Sequence, residues 1–535
     1  MDTSELKAAS ARYPKPPDLT PAYGTAGFRA LADLLPSTVF RCGVLMVARS
    51  LKGGGNTGLV VTASHNPEAD NGVKLVDPSG CMLEQAWESH ADRLAAADTD
   101  EVVCAAVQEL FRTEDIPYGT GVVMVAHDTR PSAAGLAAAA VAGVIALGGV
   151  AIPCGLLTTP QLHWMVRQAN ASAKHDEGAY FGALADGFAT LVGRSPAPVQ
   201  AVVVDCANGV GGAKLRALAE RLGPQRLPLD VRNAGGAACS GGGLNDRCGA
   251  EHVQKERAVP IGCADIGVGG RCASLDGDAD RIVFWTLADG GGMTLFDGDR
   301  IAALAALLVR DLLAALPADE HTPTVGVVQT AYANGASTAY LAGLGLAVVC
   351  TLTGVKHLHA AAEAFDAGIY FEANGHGTVL FGQRLVQRLH ELPDDCEAAR
   401  DLLALESMVN QAVGDALSGL LLVEAVLRQR GWGLAEWGAL YTDLPSRQLK
   451  VRVRDRSVVR TTDAETRTVA PDGLQQAIDA AVQAAPGGRA FVRPSGTEDV
   501  VRVYAEADTQ PAADALAAEV MRAVHDLAGR TGARP

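Results

Sequence analysis

The sequence lacks closely spaced cysteine pairs. Its 11 cysteines are scattered over 535 residues, their number is odd, and no Cys-x-x-Cys occurs. Disulfide frameworks and structural zinc sites both depend on recurring cysteine spacings, so neither is predicted, and a reducing compartment fits best. The segment Met1–Pro17 has neither the apolar core of a signal peptide nor the Arg-rich pattern of a transit peptide. We therefore expect a cytoplasmic protein.

An excess of positive charge is also missing. The formal net charge is −16 and the sequence pI is near 5.2. A broad nucleic-acid-binding surface needs clustered Lys and Arg, so this balance argues against a nucleic-acid partner. It leaves room for a local basic pocket, which an anionic small molecule would require.

Long apolar runs are nearly absent, and the one candidate is interrupted. Ala133–Leu157 carries no charged residue, but its centre is rich in alanine. Gly148-Gly149 and Pro153 divide it into a helix followed by a strand. We expect a buried crossover helix here and no membrane partner.

The remaining pattern predicts α/β architecture. A chain of 535 residues is too long for one core. A strand at Val122–Ala126, a helix at Ala133–Leu147 and a strand at Val150–Ile152 form a βαβ unit. Similar units begin at Ala201–Asp205 and at Thr324–Val328.

Three tandem α/β domains with mixed sheets are expected, followed by a small C-terminal α+β domain, arranged around a central active-site cleft. The predicted domain ranges are 1–195, 196–294, 295–440 and 441–535. No function is assigned to the segment 170–193.

Ser64 stands in a loop that can support phosphate chemistry. Thr62–Pro67 reads Thr-Ala-Ser-His-Asn-Pro directly after the apolar run Leu59–Val61. Backbone amides near Asn66 could hold an anion, and Lys74 could return to a phosphate on Ser64. A buried or capping serine is the alternative.

Asp276, Asp278 and Asp280 alternate with small residues, which places three carboxylates on one side of an extended loop. Hard divalent cations prefer such oxygen ligands. An EF-hand is rejected, because Arg281 and Leu287 occupy the positions that require Gly and Glu. A solvated acidic turn is the alternative, but three close carboxylates repel one another without a cation.

Two further loops carry polar groups suited to a sugar phosphate. Glu372–Gly377 offers carboxylate, amide and imidazole groups. Arg493–Thr497 combines a guanidinium with a Ser-Gly-Thr turn that can wrap a phosphate, and it is not a Walker loop. A polar glycine turn and a capped strand-to-strand turn are the respective alternatives. Lys356 and His357 give a weaker signal.

These four loops resemble the α-D-phosphohexomutase superfamily, in which a phosphoserine loop, a metal loop, a sugar loop and a C-terminal phosphate loop follow in this order. The segment Thr25–Arg29 adds to the resemblance, because Arg29 matches an active-site arginine of the superfamily. The Asn at position 374, where glucose and mannose mutases generally carry Ser, resembles the branch that acts on N-acetylglucosamine phosphates.

The resemblance implies a phosphomutase that interconverts N-acetylglucosamine 6-phosphate and 1-phosphate, feeding UDP-N-acetylglucosamine synthesis. It implies a phosphate on Ser64, a 1,6-bisphosphate intermediate and one Mg²⁺ bound by that phosphate with Asp276, Asp278 and Asp280. The groups implied around the moving phosphoryl group are Ser64, His65, Lys74, Arg29 and Arg281. The substrate-binding set is Lys356, His357, Glu372, Asn374, His376, Arg493, Ser495, Gly496 and Thr497.

Several alternatives stay open at this point. The general base is either Lys74 or a nearby histidine. A phosphoglucomutase or phosphomannomutase, a metal-dependent sugar phosphatase and a sugar-phosphate-binding regulator without catalysis are the competing functions. The partners expected are small sugar phosphates, and the protein is expected to be a monomer.

Overall fold

A computed structural model describes residues 3–17, 19–24, 27–235, 242–319, 321–495 and 499–529. The chain divides into two compact units. The first contains residues 1–298, 374–380 and 388–434, and the second contains residues 299–373, 381–387 and 435–535.

The first unit contains a mixed five-stranded sheet near the start of the chain. Its strands are β1 (Phe28–Leu31), β2 (Thr57–Val61), β3 (Asp70–Val76), β4 (Val122–His127) and β5 (Val150–Leu156), in the order β1-β3-β2-β4-β5. Strands β2, β4 and β5 run parallel, and β3 is antiparallel to both β1 and β2. Because β2 and β4 are parallel neighbours, the loops at their carboxyl ends meet at one edge of the sheet.

A second mixed sheet follows in the same unit. It consists of β6 (Val202–Asp205), β7 (Leu229–Arg232), β8 (Cys272–Leu275), β9 (Ile282–Leu287) and β10 (Met293–Phe296), in the order β10-β9-β8-β6-β7. Strands β8 and β9 are antiparallel and joined by the acidic loop. The predicted domain boundary at residue 294 cuts through β10, which pairs with β9.

The first unit also contains helices, and the last two of them lie in its segment 388–434. They are α1 (Ser4–Ser10), α2 (Pro36–Gly53), α3 (Gln85–Ala96), α4 (Asp100–Thr113), α5 (Ala133–Ala146), α6 (Thr159–Asn170), α7 (Glu177–Val192), α8 (Gly211–Leu222), α9 (Gly249–Glu256), α14 (Glu397–Met408) and α15 (Ala416–Arg430). Helix α7, inside the segment that received no function, packs against α14 and α15.

The charge-free stretch forms a helix and then a strand, as predicted; one face of the helix is buried, and the strand lies at the edge of the sheet. Helix α5 packs closely on α2, because a Cβ at Gly43 would lie 2.2 Å from the carbonyl oxygen of Ala140, and a Cβ at Gly143 would lie 2.0 Å from that of Phe40. Reciprocal glycines let the two backbones touch, so alanine-rich composition here reflects tight helix packing. Within the described residues, no helix combines the length and hydropathy needed to cross a membrane.

The second unit contains a parallel α/β layer and a small antiparallel sheet. In the first of these, β11 (Val325–Thr330) pairs in parallel with both β12 (Ala347–Thr351) and β13 (Ala367–Phe371). In the second, β19 (Val500–Glu506) lies between β15 (Ser446–Arg452) and β18 (Arg489–Pro494). Strands β16 (Arg460–Thr462) and β17 (Arg467–Ala470) form a separate hairpin.

The helices of the second unit are α10 (Gly298–Ala314), α11 (Gly335–Gly343), α12 (Val355–Ala362), α17 (Leu474–Ala484) and α18 (Gln510–Leu527). Four of the described elements cross the limits of the units along the chain: α10, which begins at Gly298, β14 (Gly377–Phe381), α13 (Gln383–Glu391) and α16 (Leu434–Gly438). The predicted βαβ units and the C-terminal α+β pattern are confirmed. The division into four domains stays a prediction.

Candidate active site

Ser64 lies in the loop that leaves the carboxyl end of β2, and its side chain is buried. Its φ is 51°, in the left-handed region that costs an L-residue roughly 1–2 kcal/mol. The hydroxyl Oγ donates to Oδ2 of Asp276 at 2.5 Å. A strained, buried serine whose hydroxyl meets a carboxylate is typical of a functional site rather than of a surface cap.

The acidic loop connects β8 to β9 and brings its three carboxylates together. One oxygen from each of Asp276, Asp278 and Asp280 lies within 4.8 Å of the others, and all three residues are buried. Gly277 permits the loop to reach Ser64, because a Cβ there would lie 2.4 Å from the Ser64 carbonyl oxygen. The predicted convergence of the serine and the aspartates is present.

The charges in this cluster are strongly coupled. Burial raises the pKa of Asp276 well above its usual value, and the carboxylates of Asp280 and Asp278 raise it further. Burial opposes ionisation of Asp280 as well, but Lys74 and His376 outweigh it and hold that pKa well below the usual range. Lys74 Nζ lies 2.7 Å from Asp278 Oδ2 and 2.6 Å from Asp280 Oδ2. Burial would lower the pKa of Lys74, but these two carboxylates raise it instead.

The carboxylate cluster fits a hard divalent cation. Oδ1 of Asp278 and Oδ1 of Asp280 are buried and accept no hydrogen bond from the described residues. Buried carboxylate oxygens without donors are costly unless a cation compensates them. The donor set is all oxygen, which suits Mg²⁺ and not a thiolate-preferring metal.

Positive side chains surround Ser64. Nη1 of Arg29 donates to Oδ1 of Asn66 at 3.3 Å, while its buried Nε and Nη2 have no hydrogen-bond partner in the described part of the chain. Burial, and then the charge of Arg281, lowers the pKa of Arg29. Nη1 of Arg281 lies 3.5 Å from Oε2 of Glu251. Together, Arg29 and Arg281 form a cationic setting for a phosphoryl group.

His65 follows Ser64 directly. Its Nδ1 lies 3.5 Å from Ser64 Oγ. Burial, followed by the charge of Arg281, lowers the pKa of His65 to about 3. The imidazole is therefore neutral at physiological pH.

The second half of the predicted sugar loop, residues 374–377, belongs to the first unit. His376 Nδ1 lies 3.5 Å from Oδ1 of Asp280, and Oδ1 of Asn374 accepts from the His376 amide at 2.9 Å. Gly375 touches the strand that follows the acidic loop, since a Cβ there would lie 1.9 Å from the Ile282 carbonyl oxygen. Asn374 and His376 are thus positioned by the loop that carries the aspartates.

The other predicted substrate-binding residues belong to the second unit. Arg493, on β18, donates from Nε to Oε1 of Glu465 at 2.7 Å, and Oε2 of Glu465 accepts from the Thr353 amide at 3.0 Å. Ser495 is buried, and its amide bonds to the Val500 carbonyl at 2.8 Å. Lys356 and His357 lie half-buried on α12, and Glu372 follows β13 half-buried. Gly496 and Thr497 lie outside the described residues.

Sequence reasoning missed several residues that contact the serine and acidic loops. Thr159 donates from Oγ1 to Asp278 Oδ2 at 2.6 Å, and Asn245 donates from Nδ2 to the Ser64 carbonyl at 2.9 Å. Asp128 and Arg130 follow β4 and contact the serine loop. Parallel pairing of β2 with β4 would have indicated Asp128 and Arg130, because adjacent carboxyl ends lie together.

Models of known protein families match three parts of the chain. Residues 43–101 and 93–182 match the family description Phosphoglucomutase/phosphomannomutase, alpha/beta/alpha domain I. Residues 297–432 match Phosphoacetylglucosamine mutase AMG1, domain III, and residues 449–523 match Phosphoglucomutase/phosphomannomutase, C-terminal domain.

Full-length relatives decide the family. The chain is 47% identical over 556 residues to phosphoacetylglucosamine mutase of Arabidopsis thaliana, with 99% of each chain covered. It is 45% identical over 547 residues to the Homo sapiens phosphoacetylglucosamine mutase, covering 100% of this chain and 99% of the relative. The chain belongs to the phosphoacetylglucosamine mutase family.

A solved structure of the phosphoacetylglucosamine mutase family has the same fold. The Aspergillus fumigatus N-acetylphosphoglucosamine mutase, in complex with GlcNAc-6P and magnesium, is 43% identical and superimposes with a TM-score of 0.92. The alignment covers 99% of this chain and 100% of the fungal chain. The predicted superfamily, its N-acetylglucosamine branch and the mixed α/β fold are therefore confirmed.

Proposed function

We propose that this chain interconverts N-acetylglucosamine 6-phosphate and N-acetylglucosamine 1-phosphate through a phosphate on Ser64 and a 1,6-bisphosphate intermediate, supplying UDP-N-acetylglucosamine synthesis. The observation that carries the proposal is the contact between Ser64 Oγ and Asp276 within a cluster of three buried aspartates. The full-length relatives of this family support the choice of sugar.

Ser64 takes the central role, carrying the phosphoryl group in the resting enzyme. Its phosphate, together with Asp276, Asp278 and Asp280, would hold one Mg²⁺, and the bound metal neutralises charge on a transferring phosphoryl group. Arg29 and Arg281 stabilise the same group, since Arg29 has two buried guanidinium nitrogens without hydrogen-bond partners among the described residues.

Proton transfer from the substrate hydroxyl requires a group with a free lone pair. Lys74 is paired with two carboxylates, and its pKa is raised, so it serves as a fixed positive charge. His65 is neutral and adjacent to Ser64, because burial and Arg281 lower its pKa to about 3. Of the two base candidates, only His65 has a free lone pair in this state, and the negative charge of a bound phosphate would raise its pKa toward the range in which a general base works.

Substrate recognition is proposed for two loops. Glu372, Asn374 and His376 would hold sugar hydroxyls and the acetamido group, and Lys356 and His357 would contact the same sugar. Arg493, Ser495, Gly496 and Thr497 would bind the phosphate that is not reacting. The bisphosphate must turn around between the two transfers, so this phosphate loop would receive either end of the substrate.

We also propose that the protein acts as a cytoplasmic monomer with no nucleic-acid partner. The 10 cysteines described are free thiols, which suits a reducing compartment. The net charge of −16 disfavours nucleic-acid binding. Division into four domains is part of the same proposal, with the second domain extended past residue 294 to include β10.

The test is a coupled assay of purified protein with Mg²⁺ and a trace of the matching bisphosphate. N-acetylglucosamine 6-phosphate and glucose 6-phosphate are compared as substrates. We expect a clear preference for the acetylated sugar. A preference for glucose 6-phosphate would instead make the chain a phosphoglucomutase, and release of free phosphate without isomer formation would make it a phosphatase.

A further inference from the structure

Arg130 directs nearly all of its hydrogen-bonding capacity at the backbone of the serine loop. It follows β4, and its side chain is fully buried. Nη2 donates to the carbonyl oxygens of Ser64 and Asn66, each at 2.9 Å. Nη1 donates to the carbonyl oxygens of Pro67 at 2.5 Å and Asp70 at 2.7 Å. The guanidinium therefore donates to four carbonyl oxygens between Ser64 and Asp70.

A closed ring of hydrogen bonds ties this guanidinium to both polar backbone groups of Ser64. The Ser64 amide donates to Thr62 Oγ1 at 3.1 Å, and that hydroxyl donates to Asp128 Oδ2 at 2.7 Å. Asp128 Oδ2 also accepts from Arg130 Nε at 3.1 Å. The ring closes where Arg130 Nη2 reaches the Ser64 carbonyl. It leaves only the side chain of Ser64 outside.

A second residue, in the loop that precedes α9, holds the same carbonyls. Nδ2 of Asn245 donates to the carbonyl oxygens of Ser64 at 2.9 Å and of Asn66 at 3.0 Å. Asn245 itself has a φ of 60°, so the contact is made by a residue that is also in the left-handed region. Two independent donors thus converge on the peptide that follows Ser64.

We propose that Arg130, oriented by Asp128 and Thr62, is a positioning residue that fixes the backbone of Ser64 at φ 51° and thereby aims the Ser64 oxygen. The inference rests on the proposed function, because it concerns the serine that would carry the phosphate. Arg130 directs its donors to carbonyl oxygens and to Asp128, so it does not act as a phosphate ligand.

Phosphoryl transfer requires that the oxygen of Ser64 be held in a fixed position. Phosphoryl transfer is catalysed almost entirely by placement and charge stabilisation, and the attacking and leaving oxygens must lie roughly in line. Ser64 stands in a left-handed conformation that an unrestrained loop would relax. A planar guanidinium presents five donors in a fixed geometry and here reaches four carbonyls at once, whereas a lysine ammonium is a compact charge on a flexible stem. Arg130 is therefore not interchangeable with lysine.

The test compares Arg130→Lys with a matched control, Arg41→Lys. Arg41 is also buried and also donates to a carbonyl, that of Ala95 at 2.8 Å, but it lies on α2 away from the serine loop. For R130K we expect kcat to fall by about 10²-fold, the loss typical of an ångström-scale misplacement. KM should change little. Hydrogen exchange of residues 62–67 should speed up in R130K and not in R41K.

A second pair of variants keeps the inference testable if R130K does not fold. Thr62→Val removes the hydroxyl that links the Ser64 amide to Asp128, whereas Thr62→Ser retains it. We expect T62V to lose kcat and T62S to recover it. A loss of thermal stability without a loss of kcat in T62V or R130K would make the ring a purely structural feature and overturn the proposal.

Failure of the inference is separable from failure of the proposed function. If the wild-type protein forms no N-acetylglucosamine 1-phosphate, the proposed function is wrong. If the wild-type protein is active, and R130K matches R41K in kcat and in exchange of residues 62–67, the positioning role is wrong while the function stands.

Discussion

The serine loop with its acidic cluster is more deeply buried and is held by more contacts than the loop around Arg493. Ser64 and the three aspartates are each at most 5% exposed, and the serine backbone is held in a left-handed conformation from two sides. Arg493 has 18% of its side chain exposed and forms an ion pair with Glu465.

The difference follows from what each region would have to do. A phosphoryl group can be transferred only if its donor and acceptor stay in line, so the first region gains from burial and multiple restraints. A phosphate-binding loop that receives either end of a bisphosphate has to release one end and take the other. An arginine that is held by a carboxylate can exchange that partner for a phosphate.

The largest effect that would test this contrast comes from Ser64→Ala. Removal of the hydroxyl leaves no oxygen to carry the phosphoryl group, so turnover of N-acetylglucosamine 6-phosphate should be abolished. The melting temperature should stay close to that of the wild type. The matched control is Ser50→Ala, which removes another buried hydroxyl, one that donates to the Gly55 carbonyl. Near-normal mutase rates in S64A would remove Ser64 from the mechanism.

Arg493→Ala should produce a smaller effect and of a different kind. Truncating one charge-assisted phosphate contact costs about 1.5–3 kcal/mol, which raises KM by about 10- to 150-fold. Because Arg493 is proposed to bind and not to transfer, kcat should change less than KM. Steady-state kinetics would measure both.

The control for R493A is Arg467→Ala, which breaks another ion pair of the second unit, with Asp479 at 3.1 Å. That pair is half exposed on both sides, so little change in KM is expected. If R493A has an unchanged KM, the C-terminal loop is not the phosphate site.

Thr159→Val would test whether the Thr159 hydroxyl positions Asp278 for metal binding. Its hydroxyl donates to Asp278 Oδ2 at 2.6 Å, and loss of a hydrogen bond that orients a metal ligand typically costs 10- to 100-fold in metal affinity or activity. We expect the Mg²⁺ concentration for half-maximal activity to rise by about tenfold, the low end of that range, because Lys74 also holds Asp278. A magnesium titration of activity measures the shift.

The adjacent Thr158 provides the control, since it caps α6 through its hydroxyl and does not contact an aspartate. Thr158→Val should lower thermal stability by about 1 kcal/mol without altering the magnesium requirement. Equal magnesium requirements in T159V and the wild type would mean that Lys74 alone sets the position of Asp278.

Local sequence patterns predicted the elements and the loops that carry chemistry. The predicted helix Ala133–Leu147 was one residue too long, and the predicted strand Val122–Ala126 was one residue too short. Such elements are defined by short-range hydrophobic periodicity. The convergence of Ser64 with Asp276 was predicted through the resemblance to a known superfamily, and geometry confirms the contact.

Contacts made across long sequence separations were not predictable in the same way. Glu465 reaches Arg493 from a hairpin turn 28 residues earlier, and Asn245 reaches Ser64 across 181 residues. Nothing in the local composition of either residue indicates its partner. The position of Arg130 was closer to being predictable, because strand order places its loop beside that of Ser64. The ring through Thr62 was not predictable, because it depends on side-chain rotamers that sequence does not specify.

We also predict a loss of acid stability caused by His163 in the first unit. His163 lies on α6, is 1% exposed, and its Nδ1 contacts the Gly80 carbonyl oxygen at 2.6 Å. Burial lowers its pKa from 6.5 to about 3, and the charge of Lys74 acts in the same direction. Below pH 6.5 the unfolded chain therefore binds a proton that the folded chain refuses, so stability is complete above that pH and falls as the pH drops toward 3.

This single group should remove about 1.4 kcal/mol of stability per pH unit, or about 2 kcal/mol by pH 5. In His163→Gln the amide can still donate to Gly80, but the titrating group is gone, so the decline between pH 6.5 and pH 5 should be shallower by that amount. Hydrogen exchange of first-unit peptides at both pH values would measure it. His175→Gln, which replaces an exposed histidine, should leave the decline unchanged. Because His163 belongs to the first unit, the difference between wild type and H163Q should be absent from second-unit peptides, and its presence there would mean that the two units unfold together.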